Sequence, residues 1–177
     1  MPFPAILAAP FSLTLPTRSG IDLDVRQATE ADAPALMDFF ARVTDEDRRF
    51  RFLAAADAVR PEQIEPLVHA DHFRTESWIG TNRASGQIVA SGMLACDGPL
   101  DTAEIAISVC GTHRGKGIGW AMLDFIAGQA QARGCRRAIA IESRDNHAAI
   151  DLEREKGFHA EPLEGDPTLV VLAKAFR

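Results

Sequence analysis

Between the apolar run Ile105-Ala106-Ile107-Ser108-Val109 and an amphipathic segment lies Arg114-Gly115-Lys116-Gly117-Ile118-Gly119, the stretch whose residue types say most about chemistry. Glycine at 115, 117 and 119 lets the backbone turn tightly and approach a ligand closely. Several N–H groups at a helix start can then point at one anion, and Arg114 and Lys116 add positive charge at the rim. The pattern reads as a pyrophosphate cradle. An ATP-type loop needs Gly-Lys followed by Ser or Thr, and no hydroxyl residue follows Lys116. The dinucleotide fingerprint needs Gly-x-Gly-x-x-Gly, whereas the glycines here fall as Gly-x-Gly-x-Gly. Both are disfavoured.

From Ile118 the apolar residues Met122, Leu123, Phe125 and Ile126 recur at helical spacing, and Arg133-Gly134 supplies a basic last turn and a C-terminal cap. This predicts a helix of about four turns. Cys135 to Glu142 then reads as a strand, and Ser143-Arg144-Asp145-Asn146 opens a helical stretch that stops at Gly157-Phe158. Arg-x-x-Gly-x-Gly between a strand and a helix, with Ser143, Asn146, Gly157 and Phe158 downstream, resembles the acetyl-CoA signature of the GNAT superfamily of N-acyltransferases. The resemblance spans roughly residues 22 to 160. Within the superfamily, Thr44 to Leu53 (TDEDRRFRFL) and Ala103-Glu104-Ile105-Ala106 look like the bacterial protein-lysine acetyltransferase branch.

The resemblance implies an α/β fold with a mixed, mostly antiparallel central sheet flanked by helices and preceded by an N-terminal β-hairpin. It implies acetyl-CoA as acyl donor and a primary amine, a protein lysine or a small amine, as acceptor. Backbone groups of Ile107, Ser108 and Val109 would pair with the pantetheine amides, as an exposed strand edge pairs with a peptide. Arg114, Gly115, Lys116, Gly117, Ile118 and Gly119 would hold the pyrophosphate, with Ile118 also anchoring the core. Asn146 is either a contact to the amide arm or a helix N-cap. Glu104 corresponds to the general base of that branch. The chain has no tyrosine, and Glu153 stands in the final helix where many members place a tyrosine acid. Glu153 is read as a proton donor or as an exposed helix residue, with Glu142 as a reserve carboxylate.

Elementary energetics supports this division of labour. An alkylamine of pKa about 10.4 costs about 4.6 kcal/mol to deprotonate at neutral pH, so a base is valuable. A thiolate leaving group of pKa about 8.5 costs about 2 kcal/mol to release unprotonated, so an acid matters less. Two other classes compete. Cys110 with His113 suggests a thiolate that takes the acyl group first, and a non-catalytic acyl-CoA-binding domain would keep the cradle without the turnover.

The elements that must position these groups follow from the rest of the chain. Phe11 to Leu15 and Ile21 to Arg26 alternate around Arg18-Ser19-Gly20 as a hairpin does. Thr29-Glu30-Ala31-Asp32 resembles a capping box before an amphipathic helix through Leu36, Phe39, Phe40 and Val43, and Thr44-Asp45-Glu46-Asp47 repeats the signal before Arg48 to Leu53. A third helix starts near Pro61 and ends around His69. Strands are expected at Glu76 to Thr81, Gln87 to Cys96, Thr102 to Val109 and Leu169 to Phe176. Residues 1–20 are taken as an extension and first hairpin strand, and 21–177 as a single domain.

Composition bounds the function further. The 177 residues are 46% hydrophobic, enough for one ample core, and no linker or repeat divides them. A net charge of -6 argues against a nucleic-acid surface and suits a basic acceptor. Arg48, Arg49 and Arg51, interspersed with acids, read as a solvated helix face or as a site for an acidic acceptor or the adenosine phosphate. Cys96, Cys110 and Cys135 are an odd number without close pairing, as expected in a reducing compartment. No zinc spacing is present, and His69 and His72 read as a surface pair. The prolines at 4, 10 and 16 and the lack of a basic residue before Arg18 argue against a leader or membrane span. A cytoplasmic enzyme, with no nucleic-acid or membrane partner and a homodimer admitted by the resemblance, is the expectation.

Overall fold

The computed structural model describes residues 12–52 and 58–176. The expected extension over 1–11, the strand start at Phe11 and the helix end at Leu53 lie outside the described residues. Strands β1 (Ser12–Pro16) and β2 (Asp22–Gln27) form the N-terminal hairpin, followed by helices α1 (Ala33–Arg42), α2 (Asp45–Phe52) and α3 (Pro61–Val68). Then come β3 (Thr75–Asn82), β4 (Ile88–Cys96), β5 (Thr102–Val109), α4 (Ile118–Ala132), β6 (Arg137–Ser143), α5 (His147–Glu155), β7 (His159–Pro162) and β8 (Leu169–Ala175). The short β7 has no counterpart in the sequence expectation. Its four residues, HAEP, are all exposed and carry no alternation to read.

Local chemistry accounts for the helix starts. The Thr29 N–H donates to Asp32 at 2.8 Å, closing the capping box ahead of α1, and Arg26 clamps the same carboxylate at 2.7 and 2.8 Å. Asp47 N–H donates to the Thr44 hydroxyl at the head of α2. The buried faces are those of the apolar periodicity: Leu36, Phe39 and Phe40 on α1, Ile64, Leu67 and Val68 on α3, and Met122, Leu123 and Ile126 on α4.

One sheet holds all eight strands in the order β1-β2-β3-β4-β5-β6-β8-β7. Every neighbouring pair is antiparallel except β5 and β6, whose connection runs through α4. Helix α4 lies close on β4 because Gly92 has no side chain. A Cβ there would meet Ile126 Cδ1 at 2.3 Å. The parallel seam is short, joining only Thr102, Ala103 and Glu104 to Arg137, Ala138 and Ile139. Past Glu104, β5 keeps its register with β4 as far as Val109, while β6 stays with β8 as far as Ser143. The two strands part, and a wedge opens in the sheet.

The cysteines depart from the sequence reading. Cys96 at the end of β4 and Cys135 before β6 bring their sulfurs to 3.7 Å. Close pairing existed in space although no spacing announced it. Burial and the neighbouring thiol push Cys96 up to about 12, so its sulfur stays a thiol.

Candidate active site

A cavity of about 600 Å³ occupies the wedge and runs from Glu104 along β5 to the loop after it. Alternation on β5 puts Ile105, Ile107 and Val109 on one face and Glu104, Ala106 and Ser108 on the other. The edge of β5 over Ile105 to Val109 has no strand beside it on the β6 side, so its backbone groups face the cavity. Ile107, Ser108 and Val109 all line it, and the Ser108 hydroxyl is buried there without a protein partner. A buried orphan hydroxyl costs about 1–3 kcal/mol unless a ligand or water satisfies it.

Arg114 to Gly119 form the cavity's other end. Gly115 and Gly117 have φ of 72 and 79°, left-handed values that a residue with a Cβ adopts only at a cost. The first hydrogen bond of α4 runs from Ala121 N–H to the Gly117 carbonyl, leaving the N–H groups of Ile118, Gly119 and Trp120 outside the helix ladder. The helix dipole adds partial positive charge at the same place. Arg114 is tied by a 3.2 Å ion pair to Asp47 of α2, which anchors the loop to the helical side. Lys116 is exposed, and Ile118 is buried in the core.

At the opposite end, three carboxyl groups converge. Glu104 is exposed at the mouth, Glu142 sits near the end of β6, and Glu153 comes from α5. Glu153 is buried, against the expectation of an exposed mid-helix residue. Ile150, three positions earlier, is the other buried residue of this helix, and i, i+3 spacing puts both on the inward face. Burial, with the adjoining charge of Glu142, pushes Glu153 up to about 10. Burial also raises Glu142, but Glu142 receives hydrogen bonds from Glu153 and Asn146 and the attraction of Arg51. The pair therefore shares one proton at neutral pH, held on Glu153. The second oxygen of Glu153 is buried without a partner.

Asn146 caps α5, accepting from Ala149 N–H at 3.4 Å, and donates to Glu142 Oε2 at 3.0 Å. It lines the cavity as well. The three arginines of α2 separate rather than forming one solvated face. Arg48 is buried and donates to the carbonyls of Phe40 and Val43 at the end of α1, Arg49 is exposed, and Arg51 lines the cavity. Burial lowers Arg51, and Glu104 and Glu142 pull it back up.

Cys110 is fully buried and does not line the cavity. Its sulfur lies 3.2 Å from His113 Nδ1, and burial together with Lys116 and Arg42 lowers His113. A thiolate nucleophile needs access to the thioester, and this sulfur is sealed from it. Among the described residues no cluster of metal-ligating side chains is present, and no helix is long and apolar enough to cross a membrane.

Sequence reasoning missed Arg18, Ser19 and Trp120 as cavity residues. The hairpin turn reaches the cradle across a long stretch of chain: Ser19 Oγ donates to the Lys116 carbonyl at 2.8 Å. Only the alignment of β1 and β2 on the sheet edge brings it there.

Comparison with known proteins places this geometry. The sequence model of the acetyltransferase (GNAT) family matches residues 37–158. A curated acetyltransferase of Pseudomonas aeruginosa is 23% identical over 151 residues, which is 83% of this chain and 80% of that protein. The GNAT domain of S. lividans PAT superposes with a TM-score of 0.85 at 25% identity, over 93% of this chain and 97% of that one. A ribosomal L7/L12 alpha-N-protein acetyltransferase solved with coenzyme A shares the fold, with a TM-score of 0.72 at 18% identity over 92% and 98% of the two chains. The mixed sheet with its wedge, the loop at the head of α4 and a family match from α1 through Phe158 lead to one assignment: the chain belongs to the acetyltransferase (GNAT) family, whose acyl donor is acetyl-CoA.

Proposed function

We propose that the protein is an N-acetyltransferase that passes the acetyl group of acetyl-CoA directly to a primary amine, a protein lysine or a small amine, with Glu104 as general base and Glu153 as general acid. The observation that carries this reading is the single cavity joining an anion cradle, an unpaired strand edge and three carboxyl groups, of which Glu153 is buried and Glu104 exposed. The donor supplies a thioester carbonyl carbon. Arg114 through Gly119 bind the diphosphate, and the edge of Ile107, Ser108 and Val109 takes the pantetheine amides. The fit is favoured by Ser108 Oγ, a buried donor in want of an acceptor on that path.

Glu104 then removes a proton from the incoming ammonium, directly or through a water. The neutral nitrogen forms a bond to the acyl carbon as the carbon–sulfur bond breaks, and the departing sulfur keeps the electron pair. Glu153, which burial keeps protonated at neutral pH, donates its proton to that sulfur. Glu142 and Asn146 keep the acid in place, and Arg51 offsets the charge left behind. The nitrogen, now bonded to the acyl carbon, sheds its second proton to water to leave the amide; Glu104 returns its proton to solvent and Glu153 regains one, so that each turnover releases one net proton. A reducing, cytoplasmic setting fits the free thiols of Cys96, Cys110 and Cys135.

Amine-dependent release of CoA from acetyl-CoA tests the reading. Glu104→Gln should lower kcat by at least about a hundredfold while leaving CoA affinity within twofold. Unchanged turnover in that variant would refute the base assignment, and acetyl-CoA binding with no turnover on any amine would leave a binding domain.

A further inference from the structure

Beside the cradle, the cavity is lined by residues that neither a diphosphate nor a thioester requires. Arg18 and Ser19 come from the β1–β2 turn, Trp120 from the first turn of α4 and Glu155 from the end of α5. The turn is fixed in place. Besides the Ser19 bond to Lys116, the Arg18 backbone N lies 3.4 Å from where a Gly117 Cβ would be, so the hairpin rests directly on the loop. The Arg18 side chain is held far less firmly. Its guanidinium lies 4.0 Å over the Trp120 ring and 3.6 Å from Glu155, with both partners of that ion pair more than half exposed. An exposed pair of this kind contributes little, so the cation is free to exchange Glu155 for a stronger anion. Lys156 also lies over Trp120, but its side chain is only 9% exposed and is bound to Asp124 at 3.0 Å. Arg18 is thus the movable cation and Trp120 the flat surface beneath it.

A coenzyme A thioester whose diphosphate occupies the cradle carries an adenine and a ribose 3′-phosphate beyond that point. Those two groups call for an aromatic plane and a cation next to a diphosphate site. We propose that the β1–β2 turn reads the nucleotide end of the donor: Arg18 swings from Glu155 to the 3′-phosphate, and adenine takes its place against Trp120. The proposal goes beyond the acyl-transfer reading, since it concerns only which donor is held and not what happens at its thioester.

Calorimetric titration of wild type and Arg18→Ala with CoA and with 3′-dephospho-CoA tests it. Wild type should bind CoA about tenfold more tightly than the dephospho form, and Arg18→Ala should reduce that ratio to about one by weakening CoA alone. Arg18→Lys, which keeps the charge but loses the fork, should recover part of the ratio. The stack is read separately. Tryptophan fluorescence should be quenched by both nucleotides, weakly by acetyl-pantetheine, and by neither nucleotide in Trp120→Phe. Equal wild-type affinity for the two nucleotides, or an equal loss for both in Arg18→Ala, overturns the phosphate assignment. Quenching by acetyl-pantetheine as strong as by CoA overturns the stack. A wild type that binds neither nucleotide overturns this proposal and the donor together.

Discussion

Replacing Glu153 by Gln separates the buried acid from every neighbouring effect, because Gln keeps the shape and can still donate a hydrogen bond to Glu142 while carrying no proton to lose. The sign of the stability effect follows from burial. Glu153 titrates at 4.5 when unfolded and at about 10 when folded, so between those values the native state holds a proton that the unfolded state has released. Stability must fall as pH rises through that window, by up to about 1.4 kcal/mol per unit. Wild type at pH 7 therefore carries a penalty of up to about 3 kcal/mol relative to pH 4.5, and Glu153→Gln does not. For a chain of this length the variant should melt about 5–10 °C higher at pH 8, with the two curves converging near pH 5. Activity should move the other way. Releasing an unprotonated thiolate at neutral pH costs about 2 kcal/mol, which predicts a kcat loss of about thirtyfold. Scanning fluorimetry from pH 5 to 9, paired with CoA-release kinetics on the same samples, reads both. Parallel melting curves would mean that Glu153 is ionised in the native state, and the acid assignment would fail with it.

Four further outcomes follow. The kcat of Glu104→Gln should climb with pH toward the acceptor's own pKa, since hydroxide then supplies the neutral amine that costs about 4.6 kcal/mol at pH 7; a flat profile would refute the base. Gly117→Ala forces φ +79° on a residue with a Cβ, at about 1–2 kcal/mol, and calorimetry should show CoA affinity falling by tenfold or more with the fold retained. Gly92→Val should destabilise by about 1–3 kcal/mol in urea unfolding, because its side chain collides with Ile126 and Met122, which must repack under α4. Asn146→Ala should cost about 1 kcal/mol from the lost cap, and should lower kcat more than it raises KM, because Glu142 loses a donor that keeps the shared proton on Glu153.

The legible part of this molecule is the part written in short-range signals. Glycine spacing, the apolar run before it and the helical period after it sufficed to mark β5, the loop and α4, and the caps at Thr29 and Thr44 marked α1 and α2. What stayed hidden depends on which elements the sheet makes neighbours. Arg18 reaches the cradle only because the hairpin folds onto the loop. The proximity of Cys96 and Cys135 depends on α4 returning β6 beside β5. Glu153 is the instructive case. Its carboxyl type argued for solvent, while its position three residues after Ile150 argued for the core, and packing decided in favour of position. A polar residue in phase with the apolar face of a helix that ends beside a binding loop is a signal worth reading as function before surface.

The wedge itself explains why the buried carboxyl of Glu153 sits where it does. If β5 and β6 stayed paired past Glu104, their backbone groups would satisfy each other and no edge would remain for a pantetheine chain. Parting the strands opens the sheet, and α5, which follows directly from β6, brings Glu153 to the cavity beside Glu142 on the strand. That position is dry enough to hold a carboxyl neutral while still lining the cavity, as the proposed acid requires. Glu104, on the last paired rung, remains exposed, as the proposed base must be to meet an ammonium. One change in strand pairing thus yields an open strand edge, a solvated carboxylate and a desolvated carboxyl, the three parts the proposed mechanism uses. It follows that a substitution extending the β5–β6 seam by a single rung should damage donor binding and acid strength together.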